Sequence, residues 1–116
     1  MENSVAFAPR VKGVRYVSAD EAIEIMKKES GYVILDVRRP DEFEECRIPG
    51  AVNVPNESIG IKPIAELPDK NQLILIYCRR GRRSKIAASK LLLLGYTNLV
   101  EFGGINEWCG ETVSGY

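Results

Sequence analysis

Short apolar runs alternate along this chain with segments of helical pattern, and that alternation constrains the fold more than any other feature. Residues 32–35 and 73–77 form uninterrupted apolar runs, which indicate strands buried on both faces. Shorter strands are predicted at 14–17, 52–54 and 99–102. Strands that alternate with helices favour a parallel sheet covered by helices on both faces and joined by right-handed crossovers. We therefore expect an α/β fold.

Capping and proline signals predict where the first helices begin. Ser18 and Glu21 have the spacing of a capping box, so a helix is expected to start there and to end before Gly31. Pro40 can open a second, short helix that runs through Glu45.

The second half of the chain contains weaker and stronger helix signals. A weak helix is predicted over 57–67, although Pro63 interrupts it. A stronger helix is expected from Ser84 to about residue 94, with Gly95 at its C-terminal end. A last short helix would carry Trp108, which we expect to belong to the core.

Length and charge restrict the function classes. The 116 residues fit one domain, and we expect 1–13 to form an N-terminal leader and 14–116 to form the domain. The formal net charge is zero, so bulk electrostatics predict no nucleic acid or anionic membrane partner. The longest aliphatic run, 91–94, is far too short to cross a bilayer.

The chain contains no histidine, which excludes Ser-His-Asp and Cys-His catalytic arrangements and every histidine-ligated metal site. Its three cysteines, Cys46, Cys78 and Cys109, are widely spaced and include no Cys-x-x-Cys pair. We expect no metal and no cofactor. Free thiols are typical of a reducing compartment, so the cytoplasm is the expected location.

Cys78 is the residue that points to chemistry, because it lies between the strongest predicted strand and the start of a helix. A group placed there faces backbone N–H groups and the positive end of the helix dipole. No acidic residue occurs from Cys78 to Gly95, so the local field is expected to be positive and to favour a nucleophilic thiolate. Gly81 permits a positive φ and a nest of N–H groups around the sulfur. The cations of this loop are Arg79, Arg80, Arg82 and Arg83.

A structural interpretation of the same residues is available. A lone cysteine at the end of a strand is commonly a small buried hydrophobe, and clustered arginines commonly face solvent. Four cations at the N-terminal end of a helix oppose its dipole, however, and need a compensating anion. Asp36 ends another predicted strand, so it should share a sheet edge with Cys78, where ligand sites of α/β sheets lie.

Four segments, in this order, resemble the rhodanese domain family from Tyr16 to Trp108. They are Leu-Asp-Val-Arg with Glu-Phe (35–38, 42–43), Ile-Pro-Gly-Ala-Val-Asn-Val-Pro (48–55), Tyr-Cys-Arg-Arg-Gly-Arg-Arg-Ser (77–84) and Gly-Gly-Ile-Asn-Glu-Trp (103–108). The resemblance implies a three-layer fold around a five-stranded parallel sheet. It also implies a six-residue loop that starts at a catalytic cysteine, here Cys78.

The resemblance further implies a thiosulfate sulfurtransferase-type activity. Cys78 would take sulfur from a small anionic donor, such as thiosulfate or another persulfide, and pass it to cyanide or a thiol by double displacement. The N–H groups from Arg79 to Ser84 would hold the persulfide, and the loop arginines would bind the anionic substrate. Asp36 and Arg38 would order the edge of the site, or form a structural ion pair.

Three other functions stay open at this point. Phosphatases and arsenate reductases of this fold have an arginine six positions after the cysteine, where this chain has Ser84. A binding or regulatory module would typically lack the cysteine. A persulfide carrier with a protein acceptor has the same sequence signals as an enzyme for small molecules. Cys46 and Cys109 depart from the family pattern, and each is either an inert thiol or a resolving thiol.

Overall fold

The computed structural model describes residues 9–60 and 62–115. Within this part of the chain, five strands form one parallel sheet in the order β1-β5-β4-β2-β3. They are β1 (Val14–Tyr16), β2 (Val33–Asp36), β3 (Val52–Asn53), β4 (Ile74–Cys78) and β5 (Leu99–Gly104). The helices are α1 (Ala19–Lys28), α2 (Pro40–Glu45) and α3 (Arg82–Leu93), with 3₁₀ turns at Asn56–Ser58 and Ile105–Glu107. The expected α/β fold with a five-stranded parallel sheet is confirmed.

Each face of the sheet buries its own apolar cluster, which explains the uninterrupted apolar sequence of β4. Ile74, Ile76 and Cys78 pack on the face covered by α3. Leu75 and Tyr77 alternate with them and pack on the opposite face, against α1. The sheet is therefore the middle of three layers, and β4 at its centre is buried throughout.

Local signals predicted α1 and α2 well. Ser18 caps α1, and its hydroxyl accepts from the N–H of Glu21 while the Glu21 carboxylate accepts from the N–H of Ser18. α2 begins at Pro40 and ends at Glu45, as its proline indicated.

One helix prediction was wrong, and the start of another helix was displaced. No helix covers the described residues of 57–67; a 3₁₀ turn at Asn56–Ser58 begins the segment, and Leu67 is buried at its end. Pro63 lacks the N–H that a helix would need there. α3 starts two residues earlier than predicted, because Gly81, with φ of 104°, already forms its N-cap.

The remaining predictions concern the two ends of the chain. Residues 1–8 of the expected leader lie outside the described residues. Trp108 follows the last 3₁₀ turn and is half-buried at the edge of the core, with its ring 5.9 Å from that of Phe102. In the part of the chain that the structure describes, no helix is long and apolar enough to span a membrane.

The strand register brings the ends of three strands to one edge. Asp36 of β2 pairs with Tyr77 of β4, and Cys78 pairs with Gly104 of β5. The polar groups that follow these strands therefore meet around Cys78.

Candidate active site

Cys78 is the last residue of β4, and only 1% of it is exposed. The N–H of Gly81 points at the Cys78 sulfur, with 3.0 Å between nitrogen and Sγ. The positive φ of Gly81 turns the loop back towards the cysteine, a conformation that other residues rarely adopt. The six-residue loop thus places the N–H of Gly81 on the sulfur, whereas the nest of several N–H groups stays a prediction.

The arginines of the loop form an open cavity above Cys78. Among the described residues, a cavity of about 200 Å³ is lined by Cys78, Arg79, Arg80, Arg82 and Arg83. Arg79, Arg80 and Arg82 are exposed at its rim. A cavity of this size with cationic walls suits a small anion.

Arg83 differs from the other three arginines because a carboxylate holds it. Its guanidinium donates to both oxygens of Glu42 of α2, at 2.7 and 3.1 Å. Hydrogen bonding from Arg83 lowers the pKa of Glu42 from 4.5 to about 2, despite the opposing effect of burial. Glu42 also accepts from the N–H of Arg39 at 3.0 Å, which fixes the start of α2. Glu42 therefore secures both its own helix and one wall of the cavity.

Ser84 contacts the sulfur from α3 and does not line the cavity. The distance between Cys78 Sγ and Ser84 Oγ is 3.3 Å. Ser84 in turn donates to a carboxylate oxygen of Glu101 at 2.5 Å, and Lys85 lies 3.4 Å from the other oxygen. Sequence analysis missed Glu101 and Lys85; the available signal was a single acidic residue inside the otherwise apolar strand β5.

Acidic groups thus stand beside the loop in space, although none follows Cys78 in the sequence before Gly95. Glu42 comes from α2 and Glu101 from β5, and both are buried. The expectation of a positive local field considered only neighbours in sequence and did not include these two carboxylates.

Asp36 and Arg38 form a buried pair next to this loop. Arg38 donates to both carboxylate oxygens of Asp36, and its backbone N–H donates to the same carboxylate at 2.9 Å. The Nη2 of Arg38, which donates to Asp36, also donates to the carbonyl of Cys46 at 2.5 Å. The side-chain amide of Asn53 ties the carbonyls of Asp36 and Arg38 together. The pair fixes the turns after β2 and makes no hydrogen bond to Cys78 among the described residues.

The other two cysteines are free thiols. Cys46 is half-buried beside Arg38, and Cys109 is exposed near the end of the described chain. Neither is among the residues that line the cavity above Cys78.

Comparison with known proteins identifies relatives of this chain. A family model described as rhodanese-like domain matches residues 18–111. A thiosulfate sulfurtransferase of Escherichia coli strain K12 is 32% identical over 81 residues, which is 70% of this chain and 78% of that protein.

A second relative is much longer than this chain. An adenylyltransferase and sulfurtransferase of Meyerozyma guilliermondii is 34% identical over 110 residues, which covers 84% of this chain and 26% of the relative. The chain therefore spans about a quarter of that protein's length. Among solved structures, a rhodanese with anions from E. coli has a TM-score of 0.66 and 31% identity, and the match covers 72% of this chain and 99% of that one.

Proposed function

The chain belongs to the rhodanese-like domain family, and from that premise we propose that it is a thiosulfate sulfurtransferase-type enzyme that carries sulfur as a persulfide on Cys78. The assignment to the sulfurtransferases as a class rests on the family match and on the named relatives. The proposal adds the donor, the carrier residue and the acceptor.

The observation that carries the proposal is the sulfur's position at the bottom of a cationic cavity. The N–H of Gly81 donates to the Cys78 sulfur at 3.0 Å, and arginines line the cavity above Cys78. A backbone donor stabilises a thiolate, and it stabilises a persulfide anion in the same way. The cavity volume of about 200 Å³ leaves room for a small anionic donor.

The reaction proceeds in two displacements. The thiolate of Cys78 attacks the outer sulfur of thiosulfate, the S–S bond of the donor breaks, and sulfite leaves with the bonding electron pair. Cys78 then carries one extra sulfur as a persulfide anion. A thiolate or cyanide acceptor attacks that outer sulfur, the bond to Cys78 breaks, and Cys78 leaves as a thiolate.

The surrounding residues take supporting roles in this proposal. Arg79, Arg80 and Arg82 attract the anionic substrate, and Arg83, held by Glu42, forms a fixed wall. The N–H groups from Arg79 to Ser84 form the cradle for the persulfide. Asp36 and Arg38 hold the neighbouring edge of the sheet, and residues 14–116 act as one domain.

A persulfide carrier with a protein acceptor is the second candidate. The relative from M. guilliermondii combines a sulfurtransferase with an adenylyltransferase, which favours transfer within a larger assembly. The exposed arginines at the cavity rim would then contact an acidic partner surface. We propose a cytoplasmic location for either function, because the exposed free thiol of Cys109 persists in a reducing compartment.

A phosphatase activity is disfavoured by the contacts at position 84. Phosphatases of this fold use an arginine six residues after the cysteine to grip a tetrahedral oxyanion. Ser84 occupies that position here and donates to Glu101, while the preceding Arg83 is engaged by Glu42.

Intact-protein mass spectrometry after incubation with thiosulfate tests the proposal. The wild type should gain the mass of one sulfur atom and lose it again on addition of cyanide. The Cys78→Ser protein, a nearly isosteric change, should gain none. Sulfur uptake by Cys78→Ser would rule out Cys78 as the carrier, and no uptake by the wild type from thiosulfate or a persulfide donor would rule out the enzyme.

A further inference from the structure

The side chains of one buried polar cluster beside Cys78 have no role in the two displacements described above. It consists of Ser84 and Lys85 from α3 and Glu101 from β5, and we call it the Glu101 cluster. Ser84 is fully buried, Glu101 is 2% exposed and Lys85 is 8% exposed. Burying two opposite charges often costs more in desolvation than their attraction returns. Here the buried ion pair contacts Ser84, and Ser84 contacts the Cys78 sulfur. This position suggests that the ion pair has a functional role.

Donors surround both oxygens of the Glu101 carboxylate. Oε2 accepts from the Ser84 hydroxyl at 2.5 Å and from the N–H of Gly103 at 3.0 Å. Oε1 lies 3.4 Å from the ammonium of Lys85. An ionised carboxylate can only accept hydrogen bonds, and the groups around Glu101 are all donors.

The Ser84 hydroxyl has one proton and cannot satisfy every acceptor near it. Its oxygen lies 2.5 Å from Glu101 Oε2, 3.3 Å from the carbonyl oxygen of Gly103 and 3.3 Å from Cys78 Sγ. A hydrogen bond to a charged acceptor at the shortest distance is the strongest of the three. The proton therefore points to Glu101, and Ser84 presents a lone pair to Cys78.

This orientation gives a Cys78 thiol an acceptor and gives a Cys78 thiolate no donor from Ser84. The thiol can donate to Ser84, whereas a thiolate would face the lone pair of the same oxygen. Among the described contacts, the N–H of Gly81 is then the one donor to the sulfur. A thiolate gains a second donor only if Ser84 turns its proton away from Glu101.

We propose that Glu101 is a positioning residue that holds the Ser84 proton away from Cys78 and so restrains the Cys78 thiolate. The effect on thiol reactivity follows from the geometry alone. The effect on sulfur release, in which Cys78 leaves as a thiolate, rests on the proposed function.

A charge acting through space would also change the reactivity of Cys78, so the test must separate the two effects. Charged groups lie around the cysteine on its own loop, on α3, on α2, on β5 and at the end of β2. They are Arg79, Arg80, Arg82, Arg83, Lys85, Glu42, Glu101, Asp36 and Arg38. Removal of the Glu101 charge alters this field whether or not Ser84 is present, whereas the proposed effect requires the Ser84 hydroxyl.

A double-mutant cycle with Glu101→Gln and Ser84→Ala makes this separation. The rate of alkylation of Cys78 by iodoacetamide is measured at neutral pH on the full chain and quantified on the Cys78 peptide, so that Cys46 and Cys109 do not contribute. Glutamine keeps the shape of Glu101 but accepts only through a neutral amide oxygen. We expect Glu101→Gln to react about fivefold faster than the wild type, the size of one ordinary net hydrogen bond.

Ser84 decides the interpretation of that increase. In the Ser84→Ala background, Glu101→Gln should change the rate by less than about twofold. An undiminished increase there would show an effect through space and would overturn the proposal. Ser84→Ala alone should react faster than the wild type, because it removes the lone pair that faces the sulfur. An equal or slower rate would show that Ser84 donates to the thiolate, and would also overturn it.

The single substitution at Ser84 keeps the proposal testable if Glu101→Gln does not fold. Loss of the Glu101 charge leaves the buried Lys85 without a counterion, although its ammonium still donates to the carbonyl of Gly81 at 3.3 Å. Circular dichroism of each variant is therefore recorded first. Where Glu101→Gln fails to fold, the Ser84→Ala rate still decides whether Ser84 presents a lone pair to Cys78, and an equal or slower rate overturns the proposal.

Sulfur release gives a separate readout. Protein loaded from thiosulfate is mixed with dithiothreitol, and loss of the sulfur from the Cys78 peptide is followed by mass spectrometry. Glu101→Gln should release sulfur about fivefold faster than the wild type while taking up the same single sulfur. Equal or slower release by a loaded variant would overturn the proposed restraint on Cys78 departure. If no protein takes up sulfur, the proposed function fails, and the alkylation cycle still decides the role of Glu101.

Discussion

Two groups of arginines flank Cys78, and they differ in what holds them. Arg38 and Arg83 each donate to a buried carboxylate, that of Asp36 and that of Glu42. Arg80 and Arg82 are exposed at the cavity rim, and neither has a carboxylate within 4 Å in the part of the chain that the structure describes. The difference separates residues that hold the site in shape from residues that can meet a substrate.

The two groups should also differ in energy. A pair removed from water is costly to break, because the surviving partner is left charged and without a counterion. An exposed charge is well solvated, and its loss changes stability little. Arg79 lies 3.6 Å from Glu42, but about half of its side chain is exposed. We therefore place it with the exposed group. Substitution of the paired arginines, of their carboxylate partners and of the exposed arginines tests this division.

Loss of Arg38 should have the largest effect on stability. Arg38→Ala leaves the fully buried carboxylate of Asp36 without its partner, and breaking such a pair costs about 3–5 kcal/mol. Urea denaturation should show this loss in the free energy of unfolding. Arg82→Ala, which removes an exposed arginine, is the control and should change stability by less than about 0.5 kcal/mol. Equal losses in the two variants would refute the division.

Loss of Glu42 should have an intermediate effect that depends on pH. Because Arg83 lowers the pKa of Glu42 to about 2 in the folded protein, the pair stabilises the fold above pH 4.5 and loses that contribution as pH falls towards 2. Glu42→Gln should therefore be less stable than the wild type by about 2 kcal/mol at neutral pH. The difference should shrink below about pH 3.

Urea denaturation of both proteins across this pH range measures the difference. Asp41→Asn is the matched control, because Asp41 carries the same kind of charge on α2 but is exposed. A wild-type advantage over Glu42→Gln that stays constant down to pH 2 would contradict the assignment of the pair.

The sequence predicted the elements whose causes are local. The Ser18 capping box, Pro40 at the start of α2 and the apolar run of β4 each depend on residues within a few positions. The position of Cys78 at the end of β4 could be predicted for the same reason.

The carboxylates around the loop could not be predicted from neighbouring residues. Glu42 is 41 residues from Arg83, and Glu101 is 17 residues from Ser84. Strand order and register bring these partners together. Neither strand order nor register can be inferred from the residues of the loop alone. The sequence therefore did not distinguish among the four arginines of the loop, although the fold pairs Arg83 with a buried carboxylate.

The exposed arginines should affect substrate binding rather than stability. Arg80→Ala combined with Arg82→Ala removes two cations from the cavity rim and should raise the KM for thiosulfate about fivefold, with a smaller change in kcat. Added salt should weaken thiosulfate binding to the wild type more than to the variant, because salt screens exposed charges. Steady-state kinetics with cyanide as the acceptor measure both effects. Arg15→Ala, which removes an exposed arginine of β1 that does not line the cavity, is the control. A similar rise in KM for this control would mean that the overall charge of the protein attracts the donor, and the rim arginines would then have no special part in binding it.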